Sequence, residues 1–241
     1  MPVETAVSTQ RSAGPAPTRR SSWLRPKYFL FASIGLMYTY VLWNNESFLI
    51  NHSDPEWPHI ESFKWWLLPH GLAAACALFL GPLQFSDRLR QRFAKLHRVL
   101  GCFCVAGVLV GAPLGIYIQR FNEIHQGASA GATRSFTIAA VFQAAIWIFC
   151  TLMAMAFILK GKVQLHRQWM TRSFACAIIF LEVRAIAGIF NWGQLIEAIV
   201  WSCVAAAVPL ADLVLYLEEF LRSRAATAKA GRSAVLAGRP A

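Results

Sequence analysis

The sequence predicts an all-α polytopic membrane protein, a bundle of six transmembrane helices with both termini in the cytoplasm. Of the 241 residues, 56% are hydrophobic and only 15% are charged, whereas soluble domains average about 45–50% apolar and about 25% charged residues. Six apolar segments approach the roughly 20 residues that a helix needs to cross the hydrocarbon core. They are residues 27–45, 65–85, 98–119, 135–159, 171–190 and 195–217.

Two polar flanks enclose the six-helix domain, which we assign to residues 27–219. Residues 1–26 are rich in Ser, Thr, Pro, Ala and Arg and bury too little apolar surface to fold, so they predict a disordered basic tail. Residues 220–241 predict a second, flexible basic tail. Within the domain, only a few residues join the fifth and sixth segments, which predicts a tight helical hairpin.

The positions of the basic residues predict how the helices are oriented. Of the 23 lysines and arginines, nineteen lie in or beside the two tails, the second-to-third loop and the fourth-to-fifth loop. Only Lys64, Arg120 and Arg134 lie on the other side, and Arg184 lies inside a segment. Because cytoplasmic loops are enriched in Lys and Arg, both termini are predicted to be cytoplasmic, in a bacterial inner membrane. The net charge of +11 therefore indicates a lipid bilayer as partner, and no nucleic acid.

Small residues mark one face of the third segment. Gly107, Gly111 and Gly115 recur every four residues, a spacing that lets helix backbones approach closely in lipid. We expect this face to pack inside the bundle, to leave room for a flat cofactor, or to pair two copies of the chain in a homo-oligomer.

Three polar residues lie within the predicted hydrocarbon core and form a candidate intramembrane site. They are His70 in the second segment and Glu182 and Arg184 in the fifth. Ionisable groups are costly in lipid and commonly mark function. Glu182 and Arg184 are two residues apart and point to different helix faces, so each needs a partner on another helix. They predict either a solute pathway or an interhelical network that fixes packing.

Two histidines at one predicted depth form a second candidate site. His97 and His166 precede the third and fifth segments, and paired histidines can be the axial ligands of a haem. Arg98, Arg167 and Arg172 would then neutralise the propionates. Without a Cys-x-x-Cys-His sequence, such a haem would be a non-covalent haem b. The alternative is that each His-Arg pair anchors its helix to lipid phosphates. No metal site is predicted, and the sequence leaves open whether the protein is an enzyme.

Three motifs resemble the family of predicted bacterial membrane proteins known as DUF2306. They are His70-Gly71 with Gly81 to Phe85; His97-Arg98-x-x-Gly101; and His166-Arg167-x-Trp169-Met170-x-Arg172-Ser173, followed by Arg184. The resemblance covers roughly residues 60–200, and the third motif is the most specific. It implies a polytopic membrane protein and no known reaction.

The architecture is also similar to that of cytochrome b561-type electron carriers. The shared features are six spans with a four-helix core, and histidines at matching ends of the third and fifth spans. Those carriers also use a histidine pair on the second and fourth spans, whereas the fourth span here has Gln143 and no histidine. The likeness therefore implies at most one haem, in a redox protein linked to haem or quinone. The alternatives are a small-solute transporter or channel, and a structural or assembly protein without a ligand.

Overall fold

The structure is a computed structural model that describes residues 26–45, 53, 57–125 and 133–237. The regular structure in these ranges is helical, which confirms the all-α prediction. The helices are α1 (Pro26–Asn45), α2 (Trp57–Glu61), α3 (Lys64–Gln84), α4 (Asp87–Arg92), α5 (Ala94–His125), α6 (Arg134–Leu159), α7 (Val163–Ile189) and α8 (Ile196–Ala237). The predicted tail of residues 1–26 lies, apart from Pro26, outside the described residues.

Four long helices surround the core of the molecule. Helices α3, α5, α6 and α7 pack in sequence, and α7 returns to touch α3, so that α5 and α7 face each other across a four-membered ring. Helix α8 packs outside this ring on α7 and α6, and α1 packs on α7. Small and aliphatic residues such as Ala77, Val108, Ala139, Cys176 and Ile179 fill the centre. This arrangement makes α7 the helix with the most neighbours.

Four helices are long and apolar enough to cross a membrane. They are α3, α5, α6 and the part of α8 from Ile196 to Ala228, and each coincides with a predicted segment. Helix α7 has 27 residues but carries Arg172, Glu182 and Arg184 along its length, and α1 contains several tyrosines and ends in two asparagines. Because of these polar residues, α1 and α7 are less apolar than the other four helices. The protein is a multi-pass membrane protein on the strength of those four helices.

The glycine face of α5 packs against α3 of the same chain. A Cβ atom at Gly107 would lie 2.5 Å from the carbonyl oxygen of Ala73, and one at Gly111 would lie 3.5 Å from the Ala73 Cβ. Residues without a side chain are what permit such a close approach of two backbones. This face, for which the pairing of two copies was one of three interpretations, is therefore covered by a helix of the chain itself, and the packing interpretation accounts for it.

Two tight turns place α7 between α6 and α8. The first contains Gly161 with φ of +69°, a left-handed conformation that glycine adopts without strain. The second contains Asn191 with φ of +53°, and the Trp192 N–H donates to the Ala187 carbonyl at 2.9 Å. Asparagine is the residue other than glycine that most readily accepts this conformation. The second turn has the form of the hairpin predicted between the fifth and sixth segments.

Helix α8 continues well beyond its predicted membrane segment. Its 42 residues correspond to a length of about 63 Å. The stretch predicted as a flexible tail, residues 220–241, is helical as far as Ala237, so the backbone shows no boundary at residue 219. The reason lies in composition, since this stretch is rich in the strong helix formers Ala, Leu and Arg. An ion pair between Glu218 and Arg222, one turn apart, adds to the helix there.

Candidate functional site

His166 lies in the first turns of α7, where that helix folds back along α6. Its Nδ1 atom is 2.9 Å from the carbonyl oxygen of Ala154 on α6. A carbonyl only accepts hydrogen bonds, so in the neutral ring Nδ1 carries the proton and Nε2 keeps a free lone pair. The bond therefore fixes both the orientation of the ring and its tautomer, and makes Nε2 the atom available to a ligand.

His97 lies near the start of α5 and faces the same end of the bundle. The charges of the Arg90 guanidinium and of the His166 imidazole both act on the His97 imidazole. Its Nδ1 is buried and has no hydrogen-bond partner among the described residues. The two predicted histidines thus come from opposite helices of the ring, one with a fixed orientation and the other with an unpaired nitrogen. We call this region the histidine end, defined by His97 and His166.

Gln84 lies beside Gly101, one turn along α5 from His97, and in the sequence it stands out only as part of a motif. Its Nε2 is also buried and unpaired within the described part of the chain. A Cβ atom at Gly101 would lie 3.4 Å from the Gln84 Oε1, so the glycine of the His97-Arg98-x-x-Gly101 motif leaves room for this amide. The only signal in the sequence was an amide at the end of an otherwise apolar segment.

The three predicted arginines differ in their surroundings. Arg172 donates through Nε to the Asp212 Oδ1 of α8 at 2.7 Å, and its guanidinium lies 4.7 Å above the Trp169 ring. Arg172 is therefore committed to joining α7 to α8. Arg98 is exposed and Arg167 is half-buried, so these two have the freer guanidinium groups near the histidine end.

His70 is held by α5. Its Nδ1 is 2.9 Å from the Gly111 carbonyl oxygen, and its Cε1 lies 3.0 Å from where a Cβ at Gly115 would be. The histidine thus fills the gap left by the glycine face and hydrogen-bonds to its backbone. This geometry fits the interpretation that His70 fixes the packing of α3 on α5.

Glu182 and Arg184 lie in the second half of α7 and have different environments, as their spacing predicts. The Arg184 guanidinium lies 4.7 Å from the Phe180 ring of its own helix. The Glu182 side chain is half-buried and lies within electrostatic range of the Cys203 thiol of α8. The Glu182 side chain therefore lies towards α8, whereas His70 is bonded to α5.

A buried hydroxyl pair joins α6 to α7 and was not selected from the sequence. The Oγ1 of Thr151 and the Oγ of Ser173 are 2.7 Å apart, and the two residues are 1% and 3% exposed. A cavity of about 20 Å³ lies beside them, lined by residues from all four helices of the ring. Ser173 ends the third family-like motif, which was the available signal, but single hydroxyl residues in apolar helices are too common to stand out.

Comparison with known proteins gives one match. The family described as predicted membrane protein (DUF2306) matches residues 67–215, which is more than half of the chain and runs from α3 into α8. No curated protein and no solved structure matches the chain. The matched range contains the histidine end, His70, the hydroxyl pair and the polar residues of α7. The chain therefore belongs to the DUF2306 family of predicted membrane proteins.

Proposed function

We propose that this protein is a membrane redox protein with one non-covalent haem b at the histidine end, which His97 and His166 would hold through their imidazoles. The haem would supply one-electron chemistry within the membrane. The chain would supply two imidazole ligands from α5 and α7, with Arg98 and Arg167 near the propionates. Arg172, which is bonded to Asp212, would act mainly through its positive charge.

The orientation of His166 carries this proposal. Histidines that bind metals usually donate their second ring N–H to a carbonyl or carboxylate, which aims the other nitrogen at the metal. The 2.9 Å contact between the His166 Nδ1 and the Ala154 carbonyl is an arrangement of this kind. The buried, unpaired nitrogen of His97 supports it further, since burial of an unsatisfied polar atom is costly.

A haem would require movement of neighbouring side chains. The cavity of about 20 Å³ between the four helices admits one water molecule and no macrocycle. Phe85, directly after α3, and Met170 and Phe174 of α7 line this cavity. Aromatic and methionine side chains can change rotamer without breaking hydrogen bonds, so they are the groups that would open the space.

The proposal includes six transmembrane helices, with both termini in the cytoplasm of a bacterium and the histidine end on that side. Helix α7 supports the count because it packs along α6 and α8, both of which are apolar enough to span. A helix enclosed in this way keeps its charges against protein, which lowers their cost in lipid. The asymmetry of basic residues supports the orientation.

The visible spectrum of the purified protein tests the haem proposal. After expression with haem supplementation we expect a Soret band that His97→Ala and His166→Ala each abolish or strongly reduce. His125→Ala is the matched control, because this histidine lies at the other end of α5 and contacts Phe121 of its own helix. It should leave the band unchanged. Wild-type protein that is folded and helical but shows no Soret band would refute the proposal.

A further inference from the structure

The hydroxyl pair of Thr151 and Ser173 leaves a hydrogen-bonding capacity unused beside the cavity. Thr151 donates its single hydroxyl hydrogen to the Trp147 carbonyl, at 2.8 Å. In the 2.7 Å contact between the two hydroxyls, Ser173 must therefore be the donor and Thr151 the acceptor. Both hydroxyl hydrogens are then in use, and the Ser173 oxygen still has lone pairs that can accept a hydrogen bond from another group.

Trp147, which lines the same cavity, has a hydrogen-bond donor without an acceptor. Its side chain is 8% exposed, and its Nε1 is buried without a hydrogen-bond partner within the described ranges. The indole N–H is a donor only. Trp147 and Ser173 both line the cavity, so an unpaired donor and a free acceptor belong to two of its lining side chains.

We propose that this cavity is a binding site for one ordered water molecule, which accepts from the Trp147 Nε1 and donates to the Ser173 Oγ. A carbonyl or carboxylate could only accept, and an ammonium group could only donate, whereas a water or hydroxyl oxygen does both. The volume of about 20 Å³ selects water, since one water occupies at least roughly 10–15 Å³ measured in this way. Ser173 thereby gains a role as the α7 half of a water-mediated link to α6.

The polar contacts of this water site are separate from the proposed haem ligands. Thr151 precedes Ala154, the hydrogen-bond partner of His166, by three residues, or about 4.5 Å along the helix axis. The link uses no atom of His97 or His166, so the variants that test haem binding leave it intact. The rest of the cavity wall is apolar and includes Gly81 of α3, Val108 of α5 and Phe174 of α7. The link therefore has its two polar contacts on α6 and α7 alone.

A structure of the full chain at a resolution that shows water is the direct test. We expect one isolated oxygen density within hydrogen-bond distance of both the Trp147 Nε1 and the Ser173 Oγ. A cavity without density, or density for a larger molecule, would overturn the proposal.

A double-mutant cycle in detergent tests the same link in solution. Trp147→Phe removes the donor and Ser173→Ala removes the acceptor, and each should lower the unfolding midpoint. Because both act on one water, the effect of Trp147→Phe should be clearly smaller in the Ser173→Ala background. Thr171→Val is the matched control, since it removes an α7 hydroxyl that bonds to the Arg167 carbonyl of its own helix. Its effect on the unfolding midpoint should add to that of Trp147→Phe. Additive effects of Trp147→Phe and Ser173→Ala would contradict a bridging water.

Discussion

At the scale of single residues, the contact of α3 with α5 depends on the glycines of α5. The position of Gly107 is the most crowded of the glycine face, because a Cβ there would meet backbone, the carbonyl oxygen of Ala73 at 2.5 Å. Backbone cannot rotate away as a side chain can. His70, by contrast, is a side chain that fits against this face and bonds to its Gly111 carbonyl.

Gly107→Ala should therefore destabilise the protein by about 1–3 kcal/mol, the range observed for overpacking. Gly71→Ala is the matched control on the partner helix, because a Cβ there would have no heavy atom within 4 Å. That variant should be unchanged or slightly more stable, since alanine favours a helix over glycine by about 0.5–1 kcal/mol. Equilibrium unfolding in mixed micelles, followed by circular dichroism, measures both, and equal stability of the two variants would contradict the packing.

What could be predicted of these residues follows from the physics of helix periodicity. The spacing of Gly107, Gly111 and Gly115 predicted a close-packing face, and the structure has one. Periodicity reports which residues share a face, but not which helix covers that face. The partner of His70, a backbone carbonyl, had no signal at all, because every residue carries the same carbonyl group.

At the scale of helices, α7 is polar because it meets protein on several sides. His166 bonds to α6, Arg172 bonds to α8, and Ser173 contacts α6. A helix enclosed by others shows no single apolar stripe, so its sequence predicts polar partners without saying where they are. The sequence could therefore single out α7 as a helix with polar partners, but it could not assign Asp212 to Arg172.

The Arg172–Asp212 pair should stabilise the packing of α8 on α7. The side chains of Arg172 and Asp212 are 20% and 48% exposed, and we expect a coupling of about 0.5–1 kcal/mol, in the range measured for partly exposed ion pairs. A double-mutant cycle of Arg172→Gln and Asp212→Asn, measured by unfolding in mixed micelles, gives this energy. Glu218→Gln is a useful control, because it breaks an ion pair with Arg222 inside α8 and joins no helices.

The same variants separate packing from ligand binding. Asp212→Asn should lower stability and leave any Soret band in place, because it touches neither His97 nor His166. Zero coupling between Arg172 and Asp212 would show that the ion pair does not hold the two helices together.

At the scale of the whole molecule, an apolar composition and long segments were sufficient to predict a helical membrane protein. Every helix of the ring coincides with a predicted segment, because the bilayer requires long helices whose backbone groups are satisfied internally. The extension of α8 to Ala237 was not predicted, because hydropathy registers only the part that suits lipid. The order in which the four helices pack around the ring was also beyond the sequence, since periodicity does not report which helix covers which face.

The orientation of the whole bundle in the membrane can be tested by cysteine labelling. Basic residues around α4 and in the turn before α7 predict that the histidine end is cytoplasmic. Gln91→Cys places a thiol on the exposed surface of α4, and Gly193→Cys places one at the opposite end, where a Cβ meets no heavy atom within 4 Å. A membrane-impermeant maleimide should label Gly193→Cys in intact spheroplasts and Gln91→Cys only after lysis. The wild-type chain controls for its six native cysteines, and labelling in the reverse pattern would mean that both termini face outward.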